Sequence, residues 1–338
     1  MKYLLVLFYL TLVLNEVSAQ DKYKLTKTAD SLMDKQEYQK ALDIYEKLLQ
    51  QENTNPQYLT QSGVANFRLK NFEKAKEKFR MATLYAEGNE LYLSNLSAAY
   101  SNMNENQKAY EYAIQALNVK ATALTVYNAM ANANNIHKYD ETFRLSIKYP
   151  HLKTKNQFNY VIGLAHYHSK HYQDANNFLA TYLNNLDAED SIINTYNQAK
   201  IIYFNSLCCQ WVNSMIYGQD FKPEDIEKIS QLKDEFTAEN EKNLSELRLF
   251  MVLITSNLLG KKDNETIKNI LSNNSSQKFK ETKLELDAML HKLSDELYQT
   301  ILKEKKVEKI SVEELRKVLL ENKYHEIFTN KMVNGNIT

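Results

Sequence analysis

The chain has 338 residues, room for about two domains at ~100–200 residues each. Six Gly and three Pro are too few for a barrel or a sandwich, whose tight turns need those residues, or for a doubly wound α/β fold with a glycine-rich phosphate loop. Lys plus Arg and Asp plus Glu both number 42, so no global basic field exists to drive non-specific nucleic-acid binding. Long helices with few sharp turns remain.

The chain opens with Lys2, a nearly unbroken apolar run from Leu4 to Leu14, and small residues at Val17-Ser18-Ala19. This three-part pattern predicts a secretory signal, 1–19, cut after Ala19. The run is too short to span a membrane, which takes about 20 residues. No Cys follows it to carry a lipid. The best later candidate for a span, Leu247 to Leu259, is interrupted by Arg248, Thr255, Ser256 and Asn257. An exported chain is expected, periplasmic or secreted, with no membrane span after signal removal. The only two cysteines, Cys208 and Cys209, are neighbours and read as small buried thiols on a helix, so the fold relies on its core.

A repeat follows. Ala41, Ala75, Ala109, Thr142 and Ala175 are spaced 34, 34, 33 and 33 residues apart. A small residue stands 12 positions before four of them: Ala29, Gly63, Ser97 and Gly163. An aromatic stands three before in Tyr38, Phe72, Tyr139 and Tyr172. The spacing predicts pairs of helices of about 12–14 residues, stacked because no single pair can bury its faces. The small residue and the Ala mark the closest crossing within a pair. Tyr45, Phe79 and Leu179 are expected to pack against the next pair. The fourth unit, about Ala121 to Pro150, lacks both the small residue and the Ala. Pro56 and Pro150 fall between units, where they stop one helix and start another.

This pattern resembles the tetratricopeptide repeat (TPR) family over about Asp21 to Asn185, half of the chain. The Trp expected early in the first helix of each repeat is replaced by Leu59 or Leu93. The resemblance implies an all-α, TPR-like solenoid of helical hairpins, a right-handed superhelix of about five repeats over 20–185, that binds proteins. The remainder, 186–338, is expected to be a helical extension, either divergent TPR-like pairs or a cap. In it the sequence predicts one helix over Ser191–Tyr217 ended by Gly218, a start at Phe221-Lys222-Pro223-Glu224, and a pair over Asn243–Leu259 and Glu265–Leu271. Beyond these come a polar hinge over Ser272–Ser276, an apolar stripe from Leu284 to Ile301, and a last helix to about Glu321 opened by the capping box Ser311-Val312-Glu313-Glu314.

No HExxH, GxSxG, GxxxxGK[ST] or GxGxxG occurs. His166, His168 and His171 lack the i,i+4 spacing of helical zinc ligands. No catalytic residue, cofactor or metal is expected. The first helix of each pair should line a groove carrying Phe67, Arg68, Asn102, Tyr127, Asn134, Tyr160, Tyr167 and His168. In the chaperone-binding TPR subclass, groove Lys and Asn hold a peptide's terminal carboxylate. Here Arg68 is nearly alone, and the aromatic and amide lining suits an extended segment or a partner surface. The Lys-, Asn-, Tyr- and Ile-rich composition and a signal ending in Ala-Gln resemble bacterial envelope proteins. The expected function is a non-enzymatic envelope scaffold binding a partner polypeptide in the groove. The alternative is an oligomeric structural protein self-associating through its C-terminal helices.

Overall fold

The computed structural model describes residues 20–153, 155–185, 193–236, 238–260, 264–272 and 283–319. The expected signal, 1–19, lies outside these residues, as do Asn273–Ser276 of the hinge and everything after Leu319. The described residues are helical, with no strand among them. They fall into two compact units, one up to Val161 and one from Ile162. That division lies inside the fifth repeat.

In the first unit a helix over residues 20–34 (α1) is followed by α2 (Tyr38–Gln51), α3 (Pro56–Arg68), α4 (Phe72–Tyr85), α5 (Glu90–Asn102), α6 (Asn106–Val119), α7 (Ala123–Asn135) and α8 (Tyr139–Lys148). A 3₁₀ turn, Pro150–Leu152, leads to α9 (Gln157–His168). Each helix from α2 to α8 packs on the next, and α3, α5 and α7 also touch in succession. This is the stacked-hairpin order that the spacing predicts.

The anchor positions explain the close crossings. Ala29, Ala41, Ala75, Ser97, Ala109 and Thr142 are fully buried. A Cβ added to Gly63 would come within 2.5 Å of the Phe79 ring, so Phe79 fills the notch that Gly63 leaves. Phe79 therefore packs within its own pair and also clusters with Leu96 and Ala99 of the next, as expected. Leu179 covers Gly163 in the same manner, with a Cβ there 2.9 Å from the leucine side chain. The third and fourth pairs cross through polar groups instead. The Ser97 hydroxyl donates to the Ala109 carbonyl at 2.7 Å, and the Thr142 hydroxyl donates to the Asn134 side-chain oxygen at 2.7 Å, with the Met130 carbonyl 3.2 Å away. A small polar side chain on either helix thus replaces the missing Gly–Ala contact of the fourth unit.

One turn closes every pair. Gln36, Lys70, Asn104, His137 and Lys170 have φ of 61, 62, 59, 60 and 63°, and they are spaced 34, 34, 33 and 33 residues apart. The N–H after each returns to the carbonyl five residues earlier, as in Glu37 to Leu32 and Asn71 to Asn66. This is the left-handed Schellman ending of a helix, made here five times without glycine.

The second unit continues with α10 (Tyr172–Asn184), α11 (Ile193–Tyr217), α12 (Pro223–Glu235), α13 (Glu239–Leu258), α14 (Asn264–Ser272), α15 (Lys283–Lys305) and α16 (Val312–Leu319). The elements expected here are present, with α13 beginning four residues earlier than the sequence suggests. Helix α11 is the hub, packing on α10, α12, α13 and α16. Trp211 is fully buried and stacks on Phe221 at 5.2 Å. Phe204 meets Phe236 edge-on at 5.4 Å. Gly218, at φ +69°, ends α11. Ser311 and Glu314 exchange the two bonds of a capping box at the start of α16. Cys208 and Cys209 are buried free thiols, and burial pushes both up in pKa.

Candidate functional site

Helices α3, α5 and α7 each start on a side-chain cap. The Asn55 side chain accepts the N–H groups of Gln57 and Tyr58 ahead of α3, and Asn89 accepts those of Leu91 and Tyr92 ahead of α5. Thr122 and Thr125 form the equivalent box on α7. These caps supply partners for the orphan N–H groups of a helix start.

In the first unit the structure places Phe67 half-buried, with its ring edge-on to Phe72 at 5.3 Å across the turn of the pair. Arg68 beside it is exposed. Asn102 is exposed, and its amide donates to the Ala98 carbonyl one turn back at 3.0 Å. Tyr127 is half-buried and edge-on to Phe158 at 5.7 Å. Tyr160 is also half-buried. Burial raises the pKa of both phenols, and at Tyr160 the neighbouring Tyr127 adds to the rise.

Asn134 departs from expectation. It is 6% exposed, its amide N–H donates to the Val161 carbonyl at 2.8 Å, and its oxygen accepts the Thr142 hydroxyl at 2.7 Å. A side chain so committed ties α7 to α8 and α9 and offers nothing to a ligand. Its neighbour Asn135 is the exposed amide, 3.4 Å from the Ser101 hydroxyl of the preceding pair. The error is one residue, about 100° of helix rotation. Two further residues escaped the sequence reading. Leu91 and Leu124 are each 47% exposed, in the first turns of α5 and α7. Their 33-residue spacing, off the buried stripe, is the signal that could have found them.

In the second unit Tyr167 is half-buried, with His168 at 5.2 Å and Tyr172 at 6.1 Å between ring centres. His168 is exposed. His166 stacks face-on with Phe178 at 5.4 Å, and its Nδ1 is 3.9 Å from an Asp174 carboxylate oxygen. Burial lowers its pKa against the opposing pull of Asp174. Among the described residues no group of three His, Cys, Asp or Glu side chains is placed to hold a metal ion. None of their helices is long and apolar enough to cross a membrane.

No family model matches the chain, and no curated protein matches it in sequence. Solved structures do match. The C-terminal part of a TPR repeat-containing protein from Cytophaga hutchinsonii is 13% identical, with 76% of this chain and 99% of that one covered at a TM-score of 0.52. PilW, a widely conserved type IV pilus biogenesis factor, is 14% identical over 66% of this chain and 97% of its own, at 0.53. PilF of Pseudomonas aeruginosa is 11% identical over 66% and 96%, at 0.52. Likeness at such identity is a likeness of fold. The chain has an all-α, TPR-like fold, as the repeat spacing and the five equivalent turns require.

Proposed function

We propose that the protein is an exported, non-enzymatic scaffold that holds a partner polypeptide along the first-helix face of its repeats. The observation that carries this reading is the set of half-buried rings Phe67, Tyr127 and Tyr160 beside the exposed Arg68, Asn102 and Asn135 in the first unit. Phe67 and Tyr127, held by edge-on ring contacts, present contact area with little entropy left to lose, and amides can pair with an extended backbone. A single cation makes a carboxylate clamp a poor fit. Export to the periplasm or beyond rests on the 1–19 pattern, and assembly in a bacterial envelope on the composition. PilW's part in pilus biogenesis is PilW's own; the reading stands on this chain's surface.

Replacing Phe67 and Tyr160 together by Ala should weaken partner capture from an envelope extract by more than about tenfold, which is ~1.4 kcal/mol. The helical circular-dichroism signal should remain. Undiminished capture by the double variant would refute the site. Export is checked separately by intact mass, which should show a chain beginning at Gln20.

A further inference from the structure

The helix ends of the first unit form two rims of opposite chemistry. In antiparallel pairs the turns within pairs lie at one end, and the connections between pairs lie at the other. The turns within pairs are polar: Lys35, Lys70, Asn104, His137 and Lys138 are exposed there. The connections between pairs carry Leu84, Tyr85, Leu91, Val119, Leu124 and Ile147, exposed by 62, 45, 47, 44, 47 and 79%. Only four other large hydrophobic side chains are comparably exposed among the described residues. Between α4, α5 and α6 the same rim holds an open depression of about 450 Å³, with Leu93, Tyr112 and Val119 in its wall. Scattered apolar residues on a surface need no explanation, but a contiguous set on one rim marks an interaction site.

Charge along this rim says what fits it. Glu87 lies at the α4–α5 end, and Lys148 and Lys153 lie at the end of α8 and the turn after it, while Glu90 and Lys120 between them pair with each other at 3.7 Å. A largely apolar rim with Glu87 at one end and Lys148 and Lys153 at the other is complementary to itself when turned end for end. We propose that a second copy of this chain docks here, rim to rim about a two-fold axis, with Glu87 of each copy against Lys148 of its partner. A two-fold interface uses the same patch on both chains, which a self-complementary patch satisfies. The parallel arrangement would set lysine against lysine. Five helix ends, each about 10 Å across, give on the order of 500 Å² per copy, below the ~800 Å² of a standard interface. The dimer is therefore a weak, reversible one in the micromolar range. The proposal is independent of the first-helix face.

Sedimentation velocity of the full chain across micromolar concentrations tests this. The parent should show a reversible monomer–dimer equilibrium. Leu84→Asp combined with Ile147→Asp should weaken it by more than about tenfold. Glu87→Lys and Lys148→Glu should each weaken it by about threefold to tenfold, since like charges then meet. An equimolar mixture of these two variants should associate as the parent does, because each presents the complement of the other. Both substitutions are at exposed positions, so circular dichroism should be unchanged. The proposal is overturned if the parent stays monomeric, if a dimer survives all the variants, or if the mixture fails to recover. It is equally overturned if the chain stays monomeric and floats with anionic phosphatidylglycerol vesicles, which would assign the rim to a lipid surface.

Discussion

The repeats before Asn185 and the helices after Ile193 solve the same packing problem differently. In the repeats the chain turns every 33 or 34 residues, at Gln36, Lys70, Asn104, His137 and Lys170. Another step of 34 reaches Phe204. There the chain does not turn: Phe204 lies inside the 25-residue α11 and is 1% exposed. The spacing survives only as contacts. The Ser206 hydroxyl donates to the Tyr172 carbonyl, and Asn176 pairs with Gln210, each across 34 residues. In the repeats small residues let helices approach closely, while in the second region large side chains such as Trp211 and Phe204 are buried on a long central helix. The difference shows that a repeat period can outlast the turns that define the repeat.

The largest expected effects therefore lie in the large side chains of α11. Trp211→Ala should cost about 3–5 kcal/mol, the usual price of emptying a fully buried aromatic site. Trp211 is the only Trp in the chain, so Phe204→Ala, expected to cost about as much, keeps a fluorescence probe in the same region. Chemical denaturation gives both values. A loss below about 1 kcal/mol at both positions would mean that α11 is no hub.

In the repeats the vulnerable positions are small. Ala75→Leu should destabilise by about 1–3 kcal/mol through overpacking, because Ala and Leu differ little in helix propensity. Gly63→Ala should act in the same direction, since the new methyl group must displace the Phe79 ring. An unchanged melting temperature for Ala75→Leu would break the comparison with α11.

What the sequence disclosed and what it hid follow from the same contrast. Ala41, Ala75 and Ala109 are legible because only a small residue fits a close crossing, so physics restricts the type and the period shows. The turn residues are a Gln, two Lys, an Asn and a His. The left-handed turn restricts backbone angle and tolerates several exposed side chains, so it left no single letter to count. Of the groove residues expected from the register, Phe67, Tyr127 and Tyr160 are half-buried, whereas Asn134 is buried and its neighbour Asn135 is exposed. The polar crossing of the fourth pair recruits Asn134 into the core through Thr142, and a pattern built on Gly and Ala cannot anticipate that exchange. Asn134→Ala should then cost about 1–3 kcal/mol of stability by orphaning buried partners, while Asn102→Ala stays within ~0.5 kcal/mol.

His166 adds a pH dependence to the fifth repeat. Its folded pKa lies below the unfolded value of ~6.5 because burial disfavours the charged ring. The unfolded chain then binds the extra proton first. Stability from this site is complete above about pH 6.5 and falls as pH drops through the unfolded and toward the folded value. His166→Gln should flatten that part of the stability–pH profile. A parent profile rising toward acid in this window would contradict the assignment.

A small effect of opposite sign tests the turns themselves. A non-glycine residue in the left-handed region is strained by roughly 1–2 kcal/mol, whereas glycine adopts it freely but brings ~0.5–1 kcal/mol more entropy to the unfolded chain. Lys70→Gly should therefore leave a net gain near 0.5–1 kcal/mol, and His137→Gly, at the same place in another pair, should repeat it. The sign is what matters for the comparison. Phe204 occupies the next register position but lies in the middle of α11, so Phe204→Gly removes a buried ring and loosens a helix, with losses in both terms. Denaturation midpoints that rise at 70 and 137 and fall at 204 would show that the same spacing marks a turn in one region and helix interior in the other. A loss at Lys70 would mean that its side chain stabilises the turn by more than its backbone strain costs.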